Sequence, residues 1–548
     1  MERSSTTTRG GVAARTRQIH ADFQQDRPAV WFTCDRHDPD VIAFRFVGPD
    51  LVTRSQTYGE LRARSERAAG ILADHGVGPG DRVASLLGKG ADLPALMLGV
   101  WRLGAVYVPL FTAFAADTVA QRVEDAQVKV VVTDANQVAK TAGVSATVLL
   151  ANTDQFPTDA TPTHDFTAAL ESGPRHTQAC PVSGPETPLV HIFTSGTTGK
   201  PKSVVHPLSH LAGWQSYLEH GLAPGKTYWS GADPGWAFGL YTVIAGPLAA
   251  GVTSIVTEGT FDASATWRVL SELEVTDFAG APTVYRAMRA ADPGTELPHL
   301  RGLSSAGEPL TPDVGEWTRT RFGVDVHDQF GQTELGMAAG FAHHPELAIP
   351  TSPAAMGRAL PGWTLSVLEL DRDVIAAPGT IGRLAIDIAD SPYFTFTGYG
   401  VDRDNPGDRF ACGGTHFVTG DQASIDDEGI IRFSARDDDV ILMAGYRIGP
   451  VDVESVLLAH PRVAEVAVVG APDEVRGEVV HAYVVTDDGT TGPHPELATE
   501  LQTWVKTRYA AHAYPRRVTF VDTLPKTPSG KVQRAKLRET ARLEHAAS

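Results

Sequence analysis

Short strand-like runs alternate with amphipathic helical stretches near the start of the chain, and this pattern limits the choice of fold strongly. Apolar residues recur at helical spacing over residues 58–75 and again over 115–126. Between and after these helices lie the strand-like runs RVASLL, GAVYVPL and VKVVVTD. Strands that are apolar throughout and alternate with helices are typical of a parallel sheet buried on both faces. The sequence therefore predicts an α/β fold.

The later parts of the chain show different patterns, which divide it into domains. With 548 residues the chain is longer than a single hydrophobic core supports. Over residues 364–433, short strand-like runs with Asp- and Gly-rich turns predict a smaller β-rich part. After Asp438 helices and strands form a compact unit of roughly a hundred residues. We predict a large N-terminal body over 1–437, made of two helix-covered sheets and a β-rich subdomain, and a small α+β domain over 438–548.

Charge and composition exclude several classes of function. The 47 Lys and Arg residues against 65 Asp and Glu residues give a formal charge of −18, which disfavours nucleic acid or an anionic membrane as the main partner. The apolar run 93–110 contains Arg102 together with Gly and Pro residues, so a buried helix and strand suit it better than a membrane span. On such an acidic protein, phosphate ligands must be held by local groups.

Cysteine use and the N-terminal sequence indicate the cytoplasm. Cys34, Cys180 and Cys412 are far apart and have no metal-binding spacing, so we expect free thiols in a reducing compartment. Residues 1–20 are polar and lack the apolar core of a secretory signal. We expect a cytoplasmic protein without a membrane span.

A hydroxyl- and glycine-rich turn, FTSGTTGKPK, follows the probable strand 189–193. Glycines let main-chain N–H groups approach phosphate oxygens, hydroxyls donate further hydrogen bonds, and lysines add positive charge. The turn is not a Walker loop, which would need Gly in place of Thr194 and Ser or Thr in place of Pro201. We therefore predict a polyphosphate site. Its candidate ligands are Thr194, Ser195, Gly196, Thr197, Thr198, Gly199, Lys200 and Lys202.

This turn and a series of later motifs resemble the adenylate-forming superfamily, which includes acyl-CoA synthetases, luciferase-like enzymes and the adenylation domains of peptide synthetases. The resemblance extends from about residue 189 to residue 534 and keeps the order of the family's motifs. The matching motifs are ADPGW (232–236), GAPTVYR (280–286), SSAGEPL (304–310), DQFGQTE (328–334), TGD (419–421), RDDDVILMAGYRIGP (436–450) and LPKTPSGKVQR (524–534). An ATP-dependent enzyme that makes an acyl adenylate is the implied function.

The resemblance implies a nucleotide site with residues from several motifs. In it, Thr333 bonds the α-phosphate, Glu334 carries Mg²⁺, and Asp421 takes the ribose hydroxyls with Arg436 beside it. Phe330 stacks on the adenine ring. The other implied nucleotide-binding residues are Gly307, Glu308, Pro309, Asp328, Gln329 and Gln332.

The C-terminal motifs imply a mobile domain that serves two half-reactions. Lys531, in the PSGK turn, matches the family's catalytic lysine, which bridges the carboxylate and the α-phosphate. Asp438 aligns with the family's hinge residue, so the small domain is expected to swing about it. In the second orientation Gly445, Tyr446 and Arg447 would line the channel for coenzyme A, and a plain turn before the next helix is the alternative interpretation of this segment.

Within the superfamily the chain looks most like the medium-chain and acetyl-type acyl-CoA synthetases. The predicted acyl pocket contains Trp236, Phe238, Gly239 and Gly331, although a tryptophan buried for packing alone is the alternative for Trp236. Acetyl-specific relatives carry a bulky Trp where this chain has Gly331, so we predict a deeper pocket and an acid larger than acetate. His206 and His210 are four residues apart, but without the glutamate of a zinc-protease helix they do not predict a metal site.

The sequence therefore predicts an acid:CoA ligase that uses ATP, Mg²⁺ and coenzyme A, releases pyrophosphate and AMP, and accepts a small carboxylic acid or its adenylate. Homodimer formation is one of the oligomeric states it allows. Four alternatives stay open: efficient thioester formation from an adenylate made elsewhere, loading of a carrier protein, luciferase-like oxidation, and a non-catalytic nucleotide sensor.

Overall fold

Two mainly parallel sheets form the body of the protein. The computed structural model describes residues 11–152, 165–194, 202–352, 355–437, 439–443, 446–473, 476–527 and 531–546. The strands of the two sheets are β1 (Ile42–Val47), β2 (Thr53–Thr57), β3 (Arg82–Leu86), β4 (Val106–Pro109), β5 (Val128–Asp134), β6 (Thr147–Ala151), β7 (Pro188–Thr194), β8 (Lys202–Pro207), β9 (Tyr228–Ser230), β10 (Ser254–Thr257), β11 (Asp277–Gly280), β12 (Gly302–Ala306), β13 (Val326–Gln332), β14 (Gly336–Gly340) and β15 (Arg358–Ala359). One sheet has the order β6-β5-β3-β4-β7-β8, and the other has the order β15-β14-β13-β12-β11-β9-β10-β1-β2.

Parallel pairing in the middle of both sheets gives way to antiparallel pairing at the edges. Among the described strands, β7–β8 is the antiparallel pair of the six-stranded sheet. The nine-stranded sheet has antiparallel pairs at β1–β2, β13–β14 and β14–β15. The predicted parallel sheets are thereby confirmed. The antiparallel pairs at the edges were not predicted. The prediction depended on helices between successive strands, and two antiparallel strands can be joined by a short turn without a helix.

Helices cover the two sheets. The second helix begins at a capping box, in which the hydroxyl of Thr57 accepts from the main chain of Glu60 while the Glu60 carboxylate accepts from the main chain of Thr57. It packs closely on the third helix at Gly99, where a Cβ atom would lie 2.5 Å from that of Ala68. The helices are α1 (Gly11–Phe23), α2 (Tyr58–Asp74), α3 (Asp92–Arg102), α4 (Ala116–Asp125), α5 (Phe166–Ser172), α6 (His210–Ser216), α7 (Ala237–Gly239), α8 (Gly246–Ala250), α9 (Ala263–Glu272), α10 (Pro282–Ala290) and α11 (Pro312–Phe322).

A third sheet of antiparallel strands follows the body, as the Asp- and Gly-rich pattern predicts. It contains β16 (Leu365–Leu368), β17 (Gly382–Asp387), β18 (Phe410–Ala411), β19 (His416–Ile425) and β20 (Ile431–Arg436). Its strand β19 extends alongside the loops that end β13, so it brings the TGD motif into the same region.

The C-terminal unit has its own sheet and its own hydrophobic core. Its elements are β21 (Ile441–Met443), β22 (Tyr446–Ile448), α12 (Pro450–Leu458), β23 (Val463–Asp473), β24 (Gly477–Thr486), α13 (Pro495–Arg508), β25 (Arg517–Phe520) and α14 (Arg534–Ala546). The predicted hinge residue Asp438 lies outside the described residues. Its neighbour Asp439 forms ion pairs with Arg534 and Arg538 of α14, which attach the start of this unit to its end. No helix in the described ranges is both long and apolar enough to cross a bilayer.

Candidate active site

The donor-rich turn connects β7 to β8 at the edge of the six-stranded sheet. The two strands pair antiparallel, and Thr194 stands opposite Lys202. The ammonium group of Lys202 lies 4.8 Å from the ring centroid of Tyr399. The predicted phosphate ligands within the turn lie outside the described residues: Ser195, Gly196, Thr197, Thr198, Gly199 and Lys200.

The turn after β12 brings Gly307 close to residues from two other parts of the chain. Gly307 has a φ of +99°, in the left-handed region that favours glycine. A Cβ atom at this position would lie 3.7 Å from Cη2 of Trp236 and 3.7 Å from Cε of Lys531. Three motifs that are far apart in sequence therefore meet at this glycine.

Glu308, the next residue, is fixed by the start of α10. It accepts a hydrogen bond from the main chain of Thr283 at 3.1 Å, and Arg286 lies 3.4 Å from its other carboxylate oxygen. These contacts hold the turn 307–309, including Pro309, against the first turn of α10.

Asp328 and Gln329 are buried in β13 and bond to the protein itself. The main-chain N–H groups of Leu310 and Gln329 donate to the Asp328 carboxylate at 3.3 and 3.1 Å. Burial raises the pKa of the Asp328 carboxyl group to about 7. The side-chain oxygen of Gln329 accepts a hydrogen bond from the hydroxyl of Tyr217. Both residues therefore position the nucleotide-binding turn rather than line open space.

A β-bulge between Phe330 and Gly331 shapes the end of β13. Phe330 is partly buried and packs against Ala339 and its neighbours. A Cβ atom on Gly331 would overlap the main-chain oxygen of Gly336 and lie 2.6 Å from the sulfur of Met337. The backbone itself therefore requires glycine here, in addition to any effect on the depth of the acyl pocket.

Thr333 and Glu334 form the turn between β13 and β14, and buried side chains hold this turn on two sides. Burial lowers the pKa of His206 to about 4, so its ring is neutral near pH 7. Its Nε2 donates to the main-chain oxygen of Thr333 at 2.7 Å, and its Nδ1 accepts from the hydroxyl of Tyr241 at 2.7 Å. Glu334 is 7% exposed, and the hydroxyl of Tyr399 donates to its Oε1 at 2.7 Å.

Asp421, on β19, joins two other predicted residues. The side chain of Gln332 donates to Oδ2 of Asp421 at 2.7 Å, and Arg436 donates to Oδ1 at 3.2 Å. Burial raises the pKa of Asp421 to about 6, while the charge of Arg436 acts in the opposite direction. Each oxygen keeps a second lone pair, so the carboxylate retains the capacity to accept two further hydrogen bonds.

Lys531 reaches this region from the C-terminal unit. Its ammonium nitrogen lies 5.7 Å from the centroid of the Trp236 ring. Burial lowers the pKa of this ammonium group, the charges of Glu308 and Asp421 raise it, and the charge of Arg436 lowers it further. The charges of two carboxylates and one guanidinium therefore act on Lys531 where it lies beside the turn after β12.

The predicted pocket residues Trp236, Phe238 and Gly239 lie at the start of α7 and within it, and the ammonium group of Lys531 lies over the Trp236 ring. The rings of Trp236 and Phe238 lie 5.8 Å apart, with an interplanar angle of 34°. Trp236 keeps part of its surface exposed, which disfavours a role in packing alone. A Cβ atom on Gly239 would overlap the main-chain oxygen of Asp233, so this glycine allows the loop to fold back on itself.

The residues predicted to line the coenzyme A channel are only partly described. Gly445 lies outside the described residues. The backbones of Tyr446 and Arg447 form β22 and pair with Met443 and Leu442 of β21. They are therefore part of a short hairpin in the C-terminal unit, at the start of its sheet.

Three residues near the site belong to no motif identified in the sequence: His206, Tyr399 and Arg409. Arg409 adjoins the TGD motif, because its guanidinium would meet a Cβ atom placed on Gly420. The rings of His206 and His210 stack at a centroid distance of 4.0 Å inside an aromatic cluster. Within the ranges that the structure describes, no group of three His, Cys, Asp or Glu side chains could hold a metal ion.

Comparison with protein families agrees with this geometry. The family described as AMP-binding enzyme matches residues 31–399, and the family described as AMP-binding enzyme C-terminal domain matches residues 452–531. This chain belongs to the AMP-binding enzymes. The family that the sequence motifs predicted is thereby confirmed, together with its α/β body and smaller C-terminal unit.

Named relatives of this AMP-binding enzyme include synthetases of CoA thioesters. The acetyl-coenzyme A synthetase of Bacillus subtilis (strain 168) is 33% identical over 509 residues, which cover 88% of this chain and 84% of the relative. The crystal structure of an acyl-CoA synthetase from Brucella canis has 38% identity and a TM-score of 0.74, with 98% of this chain and 99% of that chain covered. ATP-bound MatB from Rhodopseudomonas palustris has 27% identity and a TM-score of 0.81, with 94% and 99% covered.

Proposed function

We propose that this AMP-binding enzyme is an AMP-forming acid:CoA ligase. Its first half-reaction joins a carboxylic acid to ATP with release of pyrophosphate, and its second transfers the acyl group to the thiol of coenzyme A with release of AMP. The observation that carries the proposal is the position of Lys531, which lies beside Gly307 and Trp236. A cation delivered by the C-terminal unit meets a need of the first step, in which two anions must approach each other.

In the first half-reaction, a carboxylate oxygen of the acid attacks the α-phosphorus of ATP. The new bond is a carboxyl–phosphoryl anhydride, and the bond from the α-phosphorus to the pyrophosphate oxygen breaks. The ammonium group of Lys531 would lie between the carboxylate and the α-phosphate and offset the charge that gathers there. The hydroxyl of Thr333 would donate to the α-phosphate, while Lys202 and Thr194, at the base of the donor-rich turn, would face the departing pyrophosphate.

The nucleoside would be bound by shape at one end and by hydrogen bonds at the other. The turn 307–309 and Phe330 would enclose the adenine ring. Asp421 has two acceptor positions left after its bonds to Gln332 and Arg436, which matches the two ribose hydroxyls.

Glu334 suits a magnesium ion that ATP brings with it. The carboxylate is buried, one oxygen is bonded to Tyr399, and no described lysine or arginine forms an ion pair with it. Magnesium commonly takes one or two carboxylates and completes its shell with phosphate oxygens and water, so a cluster of protein ligands is not required. When bound, the ion would neutralise phosphate charge.

The second half-reaction would follow a rotation of the C-terminal domain. We propose a body over 1–437 and a mobile domain over 438–548, with Asp438 as the hinge. The thiol sulfur of coenzyme A then attacks the acyl carbon, the thioester bond forms, and the bond to the AMP oxygen breaks. Lys531 must withdraw before this step, because the thiol needs the space beside Trp236 that its side chain occupies. Gly445, Tyr446 and Arg447 would turn toward the body in this second orientation.

The acid is proposed to be larger than acetate. The bulky residue that would shorten the pocket is absent at Gly331, and Trp236, Phe238 and Gly239 offer an apolar wall. The names of the relatives differ in their acids, since one is an acetyl-coenzyme A synthetase and another an acyl-CoA synthetase. We also propose a cytoplasmic location, because the three cysteines are free thiols. Homodimer formation stays a prediction.

A panel of aliphatic, dicarboxylic, aromatic and polycyclic acids tests the proposal. Each acid is incubated with ATP and magnesium, with and without coenzyme A, and pyrophosphate and thioester are measured by coupled assay and mass spectrometry. An accepted acid should release pyrophosphate and yield its CoA thioester. Thioester from a supplied adenylate but not from ATP would favour the ligase with weak adenylation, and adenylate without thioester would favour a carrier-protein loader or an oxidase. ATP binding with neither product would identify a sensor and contradict the proposal.

A further inference from the structure

We propose that Tyr399 is a positioning residue for adenylation, and that its hydroxyl holds the Glu334 carboxylate in the orientation that receives the magnesium ion of ATP. This inference rests on the proposed function, from which it takes the role of Glu334. Tyr399 stands in the FTGYG segment, outside every motif that the sequence analysis identified. Its role follows from the contacts described below.

The hydrogen bond between the two side chains is buried and involves a charged acceptor. Tyr399 is 4% exposed, and its hydroxyl donates to Oε1 of Glu334 at 2.7 Å. No described lysine or arginine forms an ion pair with this carboxylate. Hydrogen bonds to a charged group are roughly twice as strong as neutral ones, so this contact is sufficient to select one rotamer of Glu334.

The backbone of Tyr399 is attached to β8, the strand that leaves the donor-rich turn. Tyr399 forms a β-bridge with Val204, and the N–H of Gly400 donates to the main-chain oxygen of Ser203 at 3.0 Å. On the same strand, the ammonium group of Lys202 lies 4.8 Å from the centroid of the tyrosine ring. One residue, Tyr399, therefore connects the Glu334 carboxylate, the proposed metal ligand, to β8, the strand that is proposed to contact phosphate.

Three other buried tyrosines differ from Tyr399 in the partner of their hydroxyl. Tyr228, Tyr285 and Tyr393 donate to the main-chain oxygens of Thr242, Ser304 and Thr16. The hydroxyls of Tyr217 and Tyr241 do meet side chains, but these are the uncharged side chains of Gln329 and His206. Tyr399 differs from all five, because its hydroxyl donates to a carboxylate that is proposed to bind a ligand.

Binding of ATP to Tyr399→Phe, measured by isothermal titration calorimetry in excess magnesium chloride and again in excess EDTA, tests the inference. We expect the affinity for magnesium-ATP to fall about tenfold, because a hydrogen bond to a charged group is lost. The affinity for metal-free ATP should stay within about twofold of the wild type, because Tyr399 acts through the metal carboxylate. Tyr393→Phe, which removes the same atom from a buried tyrosine, should leave both affinities unchanged.

The Glu334→Gln background provides a second measurement. Glu334→Gln alone should lose affinity for magnesium-ATP selectively, and Tyr399→Phe should add nothing to that loss. The inference is overturned if Tyr399→Phe weakens both forms of ATP equally, if it weakens neither, or if its full effect persists without the glutamate. Absence of acid-dependent pyrophosphate release from the wild type would defeat the proposed function instead, while the calorimetric result for Tyr399 would stand.

Discussion

Lys531→Ala should separate the two half-reactions of this enzyme. The substitution removes the cation that lies beside Gly307 and Trp236 but leaves the body of the protein, and so the nucleotide site, intact. In the proposed mechanism the C-terminal domain withdraws this lysine before the thiol attacks, so the second half-reaction should not need it. Acyl transfer from a supplied adenylate to coenzyme A should therefore continue at close to the wild-type rate.

The size of the effect on adenylation follows from the charges around the lysine. The charges of Glu308 and Asp421 act on Lys531, and their carboxylates remain when the ammonium group is gone. The incoming acid then meets an α-phosphate whose surroundings have become more negative. A preorganised group at a site of developing charge contributes about 3–4 kcal/mol to the transition state, so adenylation should slow by roughly 10²- to 10³-fold.

Exchange of labelled pyrophosphate into ATP, in the presence of an accepted acid, measures the first step alone. Lys526→Ala is the matched control, because this lysine lies in the same segment but forms an ion pair with Glu465 at 2.6 Å. It should exchange at the wild-type rate. Equal slowing of exchange and of acyl transfer in Lys531→Ala would refute the reasoning, and so would exchange that stays within about threefold of the wild type.

Three further predictions concern stability, each measured by thermal unfolding. Burial raises the pKa of Asp328 to about 7, so the folded protein binds more protons than the unfolded chain between about pH 4 and pH 7. The stability contributed by this group is therefore lost as pH rises through that window. The melting temperature of Asp328→Asn should decline less with rising pH, and an unchanged slope would contradict this. Gly239→Ala should lower the melting temperature and reduce the free energy of unfolding by about 1–3 kcal/mol, because its Cβ overlaps a main-chain oxygen. Gly315→Ala, in a helix with no atom within 4 Å of the new Cβ, should raise the melting temperature. Equal shifts would refute the packing argument. Arg102→Met should lower the free energy of unfolding by about 3–5 kcal/mol, because it leaves Asp35 without the buried guanidinium that binds it at 2.7 Å. Arg268→Met, in an exposed ion pair, should lower the free energy of unfolding by less than about 1 kcal/mol. Comparable losses in the two variants would contradict this prediction.

Most secondary structure of the body and of the C-terminal unit could be predicted from periodicity. VKVVVTD coincides with β5, and the helical spacing over residues 58–75 coincides with α2. The hairpins did not follow from the same reasoning. Strands β13 and β14 are joined by the turn that carries Thr333 and Glu334, and this turn has the composition of neither a typical loop nor a helix. A ligand-binding turn keeps the residues that chemistry needs, so the usual turn signals are weak there.

The candidate site divides in the same way. Motifs identified Glu334, Asp421 and Lys531 through their resemblance to the motifs of the adenylate-forming superfamily. They did not identify Tyr399 or His206, which hold the turn 333–334 from the side. A tyrosine or a histidine in an apolar segment resembles any other core residue until its partner is known.

The sequence by itself determined the class of fold, the family and the charged groups, because each depends on residue types at short spacing. The tertiary structure alone decided which distant residues share one space. The ammonium nitrogen of Lys531 lies 5.7 Å from the ring centroid of Trp236, although the two residues are about 300 positions apart in the sequence. Gly331 has its backbone fixed by a bulge, and Glu334 meets its donor from a strand connection 65 residues away. Such contacts arise when separate sheets and loops pack together, and the spacing of residue types along the sequence does not predict that packing.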